Sequence, residues 1–314
     1  VNPIVQNGLI PVFIDINLPG YNALPNAVSE AISDKTKAIM IAHTLGNPYR
    51  AKEIREIADQ NDLFVIADCC DGLGSEHHGQ PLPYWADLST FSFFPAHHIS
   101  MGEGGAVSTN DSLLDKIIRS FRDWGRDCWC KVGENGTCGK RYEWQLGDLP
   151  LGFDHKFIYS EIGYNLKATD LQAALGVSQI KKLPKFTEAR RDNWNFYRES
   201  MSEFKQHLIL PEPTAYSNPS PFGFVLSVRE NSPFARTELV SFLYQNKVDS
   251  RMLFAGNLLR HPAYKDVKYR VSGTMHKSDF VTHSTFWIGV FPGITRPMQE
   301  YVVEKFSEFM KRYK

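Results

Sequence analysis

Strands and helices alternate along the first hundred residues of this sequence. Short apolar and β-branched runs predict strands at residues 10–16, 38–42, 63–67, 90–94 and 106–108. The stretches between them have helical periodicity, most clearly at residues 50–60, where Ile54, Ile57 and Ala58 share one face. Strands that alternate with helices usually pair in parallel, so the pattern predicts an α/β fold with a mainly parallel sheet. Ligands of such sheets bind at the carboxyl ends of the strands.

The pattern breaks at residues 125–154, a loop rich in Gly, Cys and Trp that is too long for an ordinary connection. Helical periodicity resumes at residues 166–183 and 185–204, on either side of Pro184. A chain of 314 residues is long enough for one large and one smaller domain. We therefore predict a large domain over residues 1–183, which carries the 125–154 loop, and a smaller C-terminal α/β domain over residues 184–314.

The charge balance and the apolar runs argue against several classes of protein. The chain has 35 basic and 35 acidic side chains, so there is no electrostatic argument for binding nucleic acid or an anionic membrane. The longest apolar runs are only a few residues, far below the ~20 that a membrane-spanning helix needs. No secretory signal is visible, and five cysteines are too few for a disulfide scaffold. We expect a cytoplasmic protein whose cysteines serve metal or redox chemistry.

The most informative segment is residues 89–106, STFSFFPAHHISMGEGGA. A predicted strand ends there, Pro95 turns the chain, His97 and His98 follow, and a glycine-rich run closes the segment. A histidine pair after a strand is more often a hydrogen-bonded loop pair than a catalytic base. No metal-binding spacing such as HExxH accompanies it. The residues alone therefore leave a structural and a catalytic interpretation open.

The cysteines form a second candidate site. Cys128, Cys130 and Cys138 lie in DCWCKVGENGTCGKR, and Cys69 and Cys70 follow the predicted strand at residues 63–67. A CxC in a polar, Gly-rich loop is a poor place to bury thiols. A structural zinc site and a [2Fe–2S] cluster both suit such ligands, although paired zinc ligands are usually two to four residues apart. From the spacing alone, a zinc site and an iron–sulfur cluster are almost equally good interpretations.

Asp68 is the third candidate, because it ends the most hydrophobic predicted strand. A carboxylate is costly to bury there without a cationic partner. One interpretation is a salt bridge within the protein. The other is a bond to the protonated ring nitrogen of a vitamin B6 cofactor.

Together these motifs resemble the DegT/DnrJ/EryC1/StrS family of sugar aminotransferase-like proteins, over essentially the whole chain. The family usually carries an SFxxxKx(x)xxGEGG motif whose lysine binds pyridoxal phosphate (PLP) covalently, and here the lysine position is His97. The resemblance implies a large domain of the aspartate-aminotransferase type (fold type I of PLP enzymes) with a smaller C-terminal domain. It also implies a dehydrase rather than an aminotransferase, because this histidine is specific to the dehydrases of the family.

The resemblance further implies the residues that hold the cofactor. Asp68 pairs with the ring nitrogen, Asp71 lies near the cofactor, and Ser92 contacts the phosphate. Asn165, in GYNLKATDLQAALG, reaches the phosphate bound by a second subunit, which implies a homodimer with shared sites. The cysteine spacing matches the [2Fe–2S] pattern of the CDP-sugar dehydrases and leaves Cys69 spare; the implied cluster ligands are Cys70, Cys128, Cys130 and Cys138.

The implied reaction removes the C3 hydroxyl of CDP-4-keto-6-deoxy-D-glucose, in the biosynthesis of 3,6-dideoxyhexoses for lipopolysaccharide O-antigen. An imidazole cannot anchor the cofactor covalently, so pyridoxamine phosphate (PMP) would be held noncovalently and His97 would act as general base. Two electrons would reach the product through the cluster from a separate reductase that contains flavin and iron–sulfur. The same chemistry on a dTDP- or GDP-linked sugar is one alternative, and a noncatalytic zinc-stabilised scaffold is another.

The implied fold also needs a Gly/Ser-rich turn before a helix N-terminus, which would form the other part of the phosphate site. The sequence begins inside the implied large domain and contains no such turn at the expected place. We therefore expect a further N-terminal segment before Val1.

Overall fold

The computed structural model of the chain describes residues 1–130 and 133–313. Its helices are α1 (Asn2–Gln6), α2 (Pro25–Ala31), α3 (Ala51–Gln60), α4 (Ser112–Arg122), α5 (Asp170–Ile180), α6 (Leu183–Ser200), α7 (Arg236–Gln245), α8 (His276–Ser284) and α9 (Arg296–Met310). Its strands are β1 (Val12–Ile14), β2 (Ala38–Ala42), β3 (Phe64–Asp68), β4 (Glu76–His77), β5 (Gln80–Pro81), β6 (Leu88–Ser92), β7 (Gly105–Ser108), β8 (Leu208–Ile209), β9 (Ser217–Asn218), β10 (Gly223–Val228), β11 (Arg251–Met252), β12 (Arg270–Ser272) and β13 (Thr285–Gly289).

The predicted parallel sheet is confirmed in the first half of the chain. Strands β2, β3 and β6 pair in parallel in that order, and β7 closes the sheet antiparallel to β6. Helix α3 contributes Ile54 and Ala58 to the core beside this sheet, as its periodicity predicts. Asp68, the last residue of β3, lies opposite Ala42 on β2 and Thr90 on β6. The carboxyl ends of the three parallel strands therefore meet at one edge.

The second half of the chain forms an antiparallel sheet in the order β11, β13, β10, β8. Every residue of β10 is buried. Helices α6, α7 and α9 share a hydrophobic core with this sheet, in which Phe224, Leu239 and Phe306 have no exposed surface. Burial of such side chains stabilises each by about 1.5–3 kcal/mol.

Three helices differ from the sequence pattern. Pro184 lies in the first turn of α6 rather than between two helices, which a proline tolerates because an N–H there has no acceptor within the helix. The helix predicted over residues 166–183 begins only at Asp170, after the capping residue Thr169. Helix α4 was not predicted, and it begins after Asp111, whose carboxylate accepts two N–H groups of the first turn.

Two strand pairs join the parts of the chain on either side of residue 184. Strand β1 pairs in parallel with β12, and β4 pairs antiparallel with β9. The domain boundary between residues 183 and 184 stays a prediction. Across the described ranges 1–130 and 133–313, none of the helices has both the length and the apolar character that crossing a bilayer requires.

Candidate active site

The carboxyl edge of the parallel sheet carries two of the predicted cofactor residues. Asp68 ends β3, and its Oδ1 accepts the backbone N–H of Cys70 at 3.0 Å. Ser92 ends the neighbouring strand β6, and its Oγ accepts the N–H of Phe94 at 3.3 Å. Each hydrogen bond fixes the start of the loop that follows the strand. The carboxylate and the hydroxyl are therefore held at the edge where ligands of parallel sheets bind.

Asp71 and His97 meet in the loops that follow these two strands. Nδ1 of His97 lies 3.4 Å from Oδ1 of Asp71, and the two side chains are only 17% and 14% exposed. Among the described residues, this Nδ1 has no hydrogen-bond partner. The imidazole also packs against Phe222, with ring centroids 5.2 Å apart. A carboxylate beside Nδ1 favours the tautomer that carries its proton there, which leaves Nε2 as the nitrogen that can accept one.

The loop that carries His97 is held by its own backbone. The N–H of His97 donates to the carbonyl of Phe94 at 2.9 Å, and that of Met101 donates to Phe93 at 2.8 Å. The N–H of Phe93 donates in turn to the carbonyl of Gly104 at 2.9 Å. The position of the imidazole is therefore set by main-chain hydrogen bonds.

His98 has a different role from its neighbour. It is 3% exposed, and its Nε2 lies 2.9 Å from the carbonyl oxygen of Ser220, to which it must donate because a carbonyl only accepts. Burial, with a smaller contribution from the Arg190 guanidinium, lowers the pKa of His98 to about 3. His98 is therefore a neutral residue that fastens the His97 loop to the segment around residue 220. For His98, the structural interpretation holds.

The contacts that support this segment were not predicted from the sequence. Arg190, on α6, is buried, and its Nη1 donates to the carbonyl oxygens of Pro221 and Phe222 at 3.3 Å each. Burial lowers the pKa of Arg190 to about 10, while Asp71 opposes that shift. The available signal was a charged side chain near the apolar face of a predicted helix, which is rare unless it is paired.

Gly46 lies between the main-chain segments of Asp71 and Ser220. Its φ is +84°, and an added Cβ would overlap the carbonyl oxygen of Ser220 and lie 2.7 Å from that of Asp71. Both neighbours are main-chain atoms, which cannot swing away. Only glycine fits between the two segments.

We expect the free energy of unfolding to decrease as the pH is lowered below about 6.5, because burial lowers the pKa of both His43 and His98 to about 3. Between about pH 6.5 and about pH 3, both histidines are protonated in the unfolded chain and neutral in the folded chain. This lowers the free energy of unfolding by about 1.4 kcal/mol per pH unit for each histidine. Above about pH 6.5 both states are neutral and the effect vanishes. Urea unfolding at about pH 7 and about pH 5 measures the slope.

His98→Gln keeps a donor for the Ser220 carbonyl but cannot titrate, so it should lower this slope by roughly one histidine's share. The matched control is His276→Gln, because His276 is exposed, and its slope should equal that of the unchanged chain. A slope in His98→Gln that matches this control would contradict the assignment of a neutral His98.

The 125–154 loop keeps its irregular character in the structure. Outside the short turns, its described residues contain no helix, and their one β contact is the Arg126–Tyr159 bridge. The thiols of Cys128 and Cys130 affect each other's pKa. Burial raises the pKa of Cys128, whereas a hydrogen bond from Thr137 lowers that of Cys130. The loop thus presents one pair of interacting thiols.

The other predicted ligands are placed separately. Sγ of Cys138 lies 3.6 Å from Nε2 of the buried His155. Sγ of Cys70 lies 4.0 Å from Oγ1 of Thr90, beside the sheet edge. Within the described part of the chain, no three thiols lie within 4.8 Å of one another. The structure therefore gathers two of the four predicted ligands and not the full set.

Cys69 and Cys70 differ in accessibility. Cys69 has no exposed surface and packs with Ala67 and Leu82. Cys70 is half-buried, and burial together with the neighbouring Asp68 raises its pKa to about 12. Of the two thiols, only Cys70 is partly open to a metal centre.

Asn165 lies on an exposed stretch that pairs with Asp123 through a single β-bridge. Large apolar side chains are exposed around it, including Ile162 at 94% and Leu171 at 86%. Exposed apolar surface on this scale marks an interaction surface rather than a solvated face.

The sequence profile of the DegT/DnrJ/EryC1/StrS aminotransferase family matches residues 1–307. The chain belongs to this family. It is 51% identical to the lipopolysaccharide biosynthesis protein RfbH of Salmonella typhimurium, over 98% of this chain and 71% of that protein. It is 50% identical to the dTDP-4-dehydro-2,6-dideoxy-D-glucose 3-dehydratase of Saccharopolyspora spinosa, over 99% of this chain and 67% of that protein.

Its fold is similar to that of the E. coli GDP-4-keto-6-deoxy-D-mannose-3-dehydratase, solved with hydrated PLP bound. The TM-score is 0.84 at 26% identity, over 96% of this chain and 75% of that one. This similarity confirms the predicted aminotransferase-like α/β fold.

The residues at the sheet edge fit the cofactor of the DegT/DnrJ/EryC1/StrS family. Oδ1 of Asp68 accepts the Cys70 N–H, and no basic side chain among the described residues forms a salt bridge with this carboxylate. A carboxylate without a cationic partner in the protein suits a protonated ring nitrogen. The Ser92 hydroxyl can donate to a phosphate, and His97 offers no amine for a covalent bond. These residues suit a B6 cofactor that is held noncovalently.

Proposed function

We propose that this chain dehydrates a nucleotide-linked 4-keto-6-deoxy sugar at C3, with CDP-4-keto-6-deoxy-D-glucose as its substrate, in 3,6-dideoxyhexose biosynthesis for lipopolysaccharide O-antigen. The observation that carries the proposal is His97, which occupies the position of the family's lysine. Its Nδ1 lies 3.4 Å from Oδ1 of Asp71. The names of RfbH, a lipopolysaccharide biosynthesis protein, and of the S. spinosa 3-dehydratase support it.

The cofactor that we propose is PMP. When bound, it supplies a primary amine for the C4 ketone of the sugar and a ring that withdraws electrons. Asp68 would accept the ring N–H, and Ser92 would donate to the phosphate. His97 leaves the amine free, because an imidazole cannot replace the family's lysine as a covalent anchor.

His97 is the proposed general base. The Asp71 carboxylate beside Nδ1 favours a proton on that nitrogen, so Nε2 would be the atom that accepts the C4′ proton of a bound cofactor. The backbone hydrogen bonds of the 93–104 loop and the His98–Ser220 contact keep the ring in place during that transfer. The loss of the C3 hydroxyl follows from that proton removal.

A [2Fe–2S] cluster is the proposed second cofactor, with Cys70, Cys128, Cys130 and Cys138 as its ligands. The Cys128–Cys130 pair, whose thiols affect each other's pKa, supports this, because each iron of such a cluster takes two protein ligands. A reductase that contains flavin and iron–sulfur is the proposed electron donor, since the 3-deoxy product requires two electrons.

A homodimer is the proposed assembly. Asn165 is exposed among large apolar side chains, where a second copy would cover them. In that arrangement Asn165 donates to the cofactor phosphate of the partner, so that each site is built from two chains.

Turnover of 4-keto-6-deoxyhexoses linked to CDP, dTDP and GDP, with PMP and a flavin/iron–sulfur reductase, tests the proposal. We expect the CDP-linked sugar to give the highest kcat/KM and a 3-deoxy product. Faster turnover of the dTDP- or GDP-linked sugar would overturn the choice of nucleotide. No 3-deoxy product from any of them, in a protein that contains iron and labile sulfide, would overturn the function. Zinc in place of iron would favour the noncatalytic scaffold.

A further inference from the structure

A second cluster of metal-ligating side chains lies outside the candidate active site. Glu53, His77 and His78 each offer a ligand atom, and these atoms lie within 4.8 Å of one another. Glu53 belongs to the first turn of α3, whereas His77 ends β4 and His78 begins the turn of the β4–β5 hairpin. Neither the proposed cofactors nor the proposed reaction uses these residues.

Glu53 has one carboxylate oxygen without a partner. Its Oε1 pairs with Arg50, at 2.7 Å from Nη2 and 2.9 Å from Nε. Its Oε2 is buried and has no hydrogen bond among the described residues. A buried, unpaired carboxylate oxygen is costly, so this atom has an unmet need for a donor or a cation.

His77 is suited to act as a ligand. It is 1% exposed, and its Nδ1 receives only a long hydrogen bond, from the N–H of Lys52 at 3.4 Å. A metal on this nitrogen would displace a contact near the outer limit of hydrogen-bond length.

His78 is oriented by the turn and by an aromatic neighbour. It takes the left-handed conformation at φ +50° and is followed by Gly79 at +69°, which together form the tight turn of the hairpin. Its ring stacks on Tyr216 at 4.7 Å and meets the His77 ring edge-on, with centroids 4.6 Å apart. The backbone N–H of His78 donates to the Tyr216 carbonyl at 2.8 Å, which fixes the turn.

We infer that Glu53, His77 and His78 bind a divalent transition metal of the zinc class. Two imidazoles and one carboxylate form a ligand set that suits Zn²⁺, Co²⁺ or Ni²⁺ rather than Mg²⁺ or Ca²⁺, and they leave a fourth position for water. The ion joins the N-terminus of α3 to the β4–β5 hairpin. It also secures β9, which pairs with β4 and leads into the Ser220 segment behind the His97 loop. This inference does not depend on the proposed function.

Titration of the protein with Co²⁺ tests the site, because the visible spectrum of Co²⁺ reports its ligands. We expect binding with weak d–d bands and without the strong near-ultraviolet charge-transfer bands that thiolate ligands produce. His78→Asn removes the imidazole and keeps a residue that favours this turn. That variant and Glu53→Gln should each weaken Co²⁺ binding by roughly tenfold or more. Zn²⁺ should raise the Tm of the unchanged protein and not of the two variants.

Glu56→Gln is the matched control, because Glu56 lies on the exposed side of the same helix and pairs only with Lys52. It should bind Co²⁺ like the unchanged protein. Equal affinity in His78→Asn and Glu53→Gln would overturn the site, and so would binding that appears only with thiolate charge-transfer bands. Circular dichroism of each variant without metal separates lost binding from lost folding.

Discussion

Replacing His97 with asparagine is expected to lower sugar turnover by about two to four orders of magnitude. Asparagine can occupy the space beside Asp71, but it cannot accept a proton, while the proposed cofactor contacts at Asp68 and Ser92 are unchanged. PMP affinity, measured by absorbance titration, should therefore stay close to that of the unchanged protein. Deuterium exchange at C4′ of the cofactor reports the proton step directly. An unchanged exchange rate would mean that another residue is the base.

The His97→Asn variant can also be used to test whether each site is built from two chains. In an equal mixture of His97→Asn and Asn165→Ala chains, half of the dimers contain one chain of each kind. One of the two sites in such a dimer is free of both substitutions, so about a quarter of all sites should be active. If activity stays at the level of the separate variants after subunit exchange, the proposed role of Asn165 across the dimer is wrong.

Replacing Cys128 with serine is expected to abolish the 3-deoxy sugar while the C3 oxygen is still released. The substitution removes one of four proposed cluster ligands, and it lies in the 125–154 loop rather than at the sheet edge. Single-turnover assays with the reductase present can follow the release of labelled C3 oxygen and the formation of product separately. Normal product formation in this variant would contradict the electron-transfer role of the loop.

Cys69 and Cys70 provide the matched control. Cys69 has no exposed surface, so Cys69→Ser should leave the visible spectrum of the cluster intact, although it replaces a buried thiol in the core. Cys70→Ser should lose that spectrum. The opposite outcome would move the ligand assignment by one residue.

Local patterns were enough to predict the sheet and its ligand-binding edge. The spacing of Ile54 and Ala58 marks a helix face that packs into the core, and both are buried on α3. The apolar run before Asp68 marks a central strand, and β3 lies between β2 and β6. Such periodicities depend on residues a few positions apart, so they can be read directly from a sequence. Asp111, the capping residue of α4, is an equally local signal, although no helix was predicted there.

The division of labour between His97 and His98 could not be predicted. Two adjacent histidines look alike in a sequence, yet one faces Asp71 and the other bonds to Ser220, which is 122 residues away. That second contact depends on how β10 and α6 bring residues 219–222 against the first sheet. Long-range contacts of this kind arise from tertiary packing rather than from propensity, and so does the separation of Cys70 from the loop cysteines.

The close passage at Gly46 limits how this protein can change. The two main-chain segments that meet there contain Asp71 and Ser220, which are 149 positions apart in the chain (220 − 71). Asp71 lies beside His97, and the Ser220 carbonyl holds His98. Even a methyl group at position 46 would push these two segments apart, although the glycine contributes no functional group. Substitution of Gly46 is therefore strongly disfavoured, and the spacing of the candidate site depends on a residue that has no side chain.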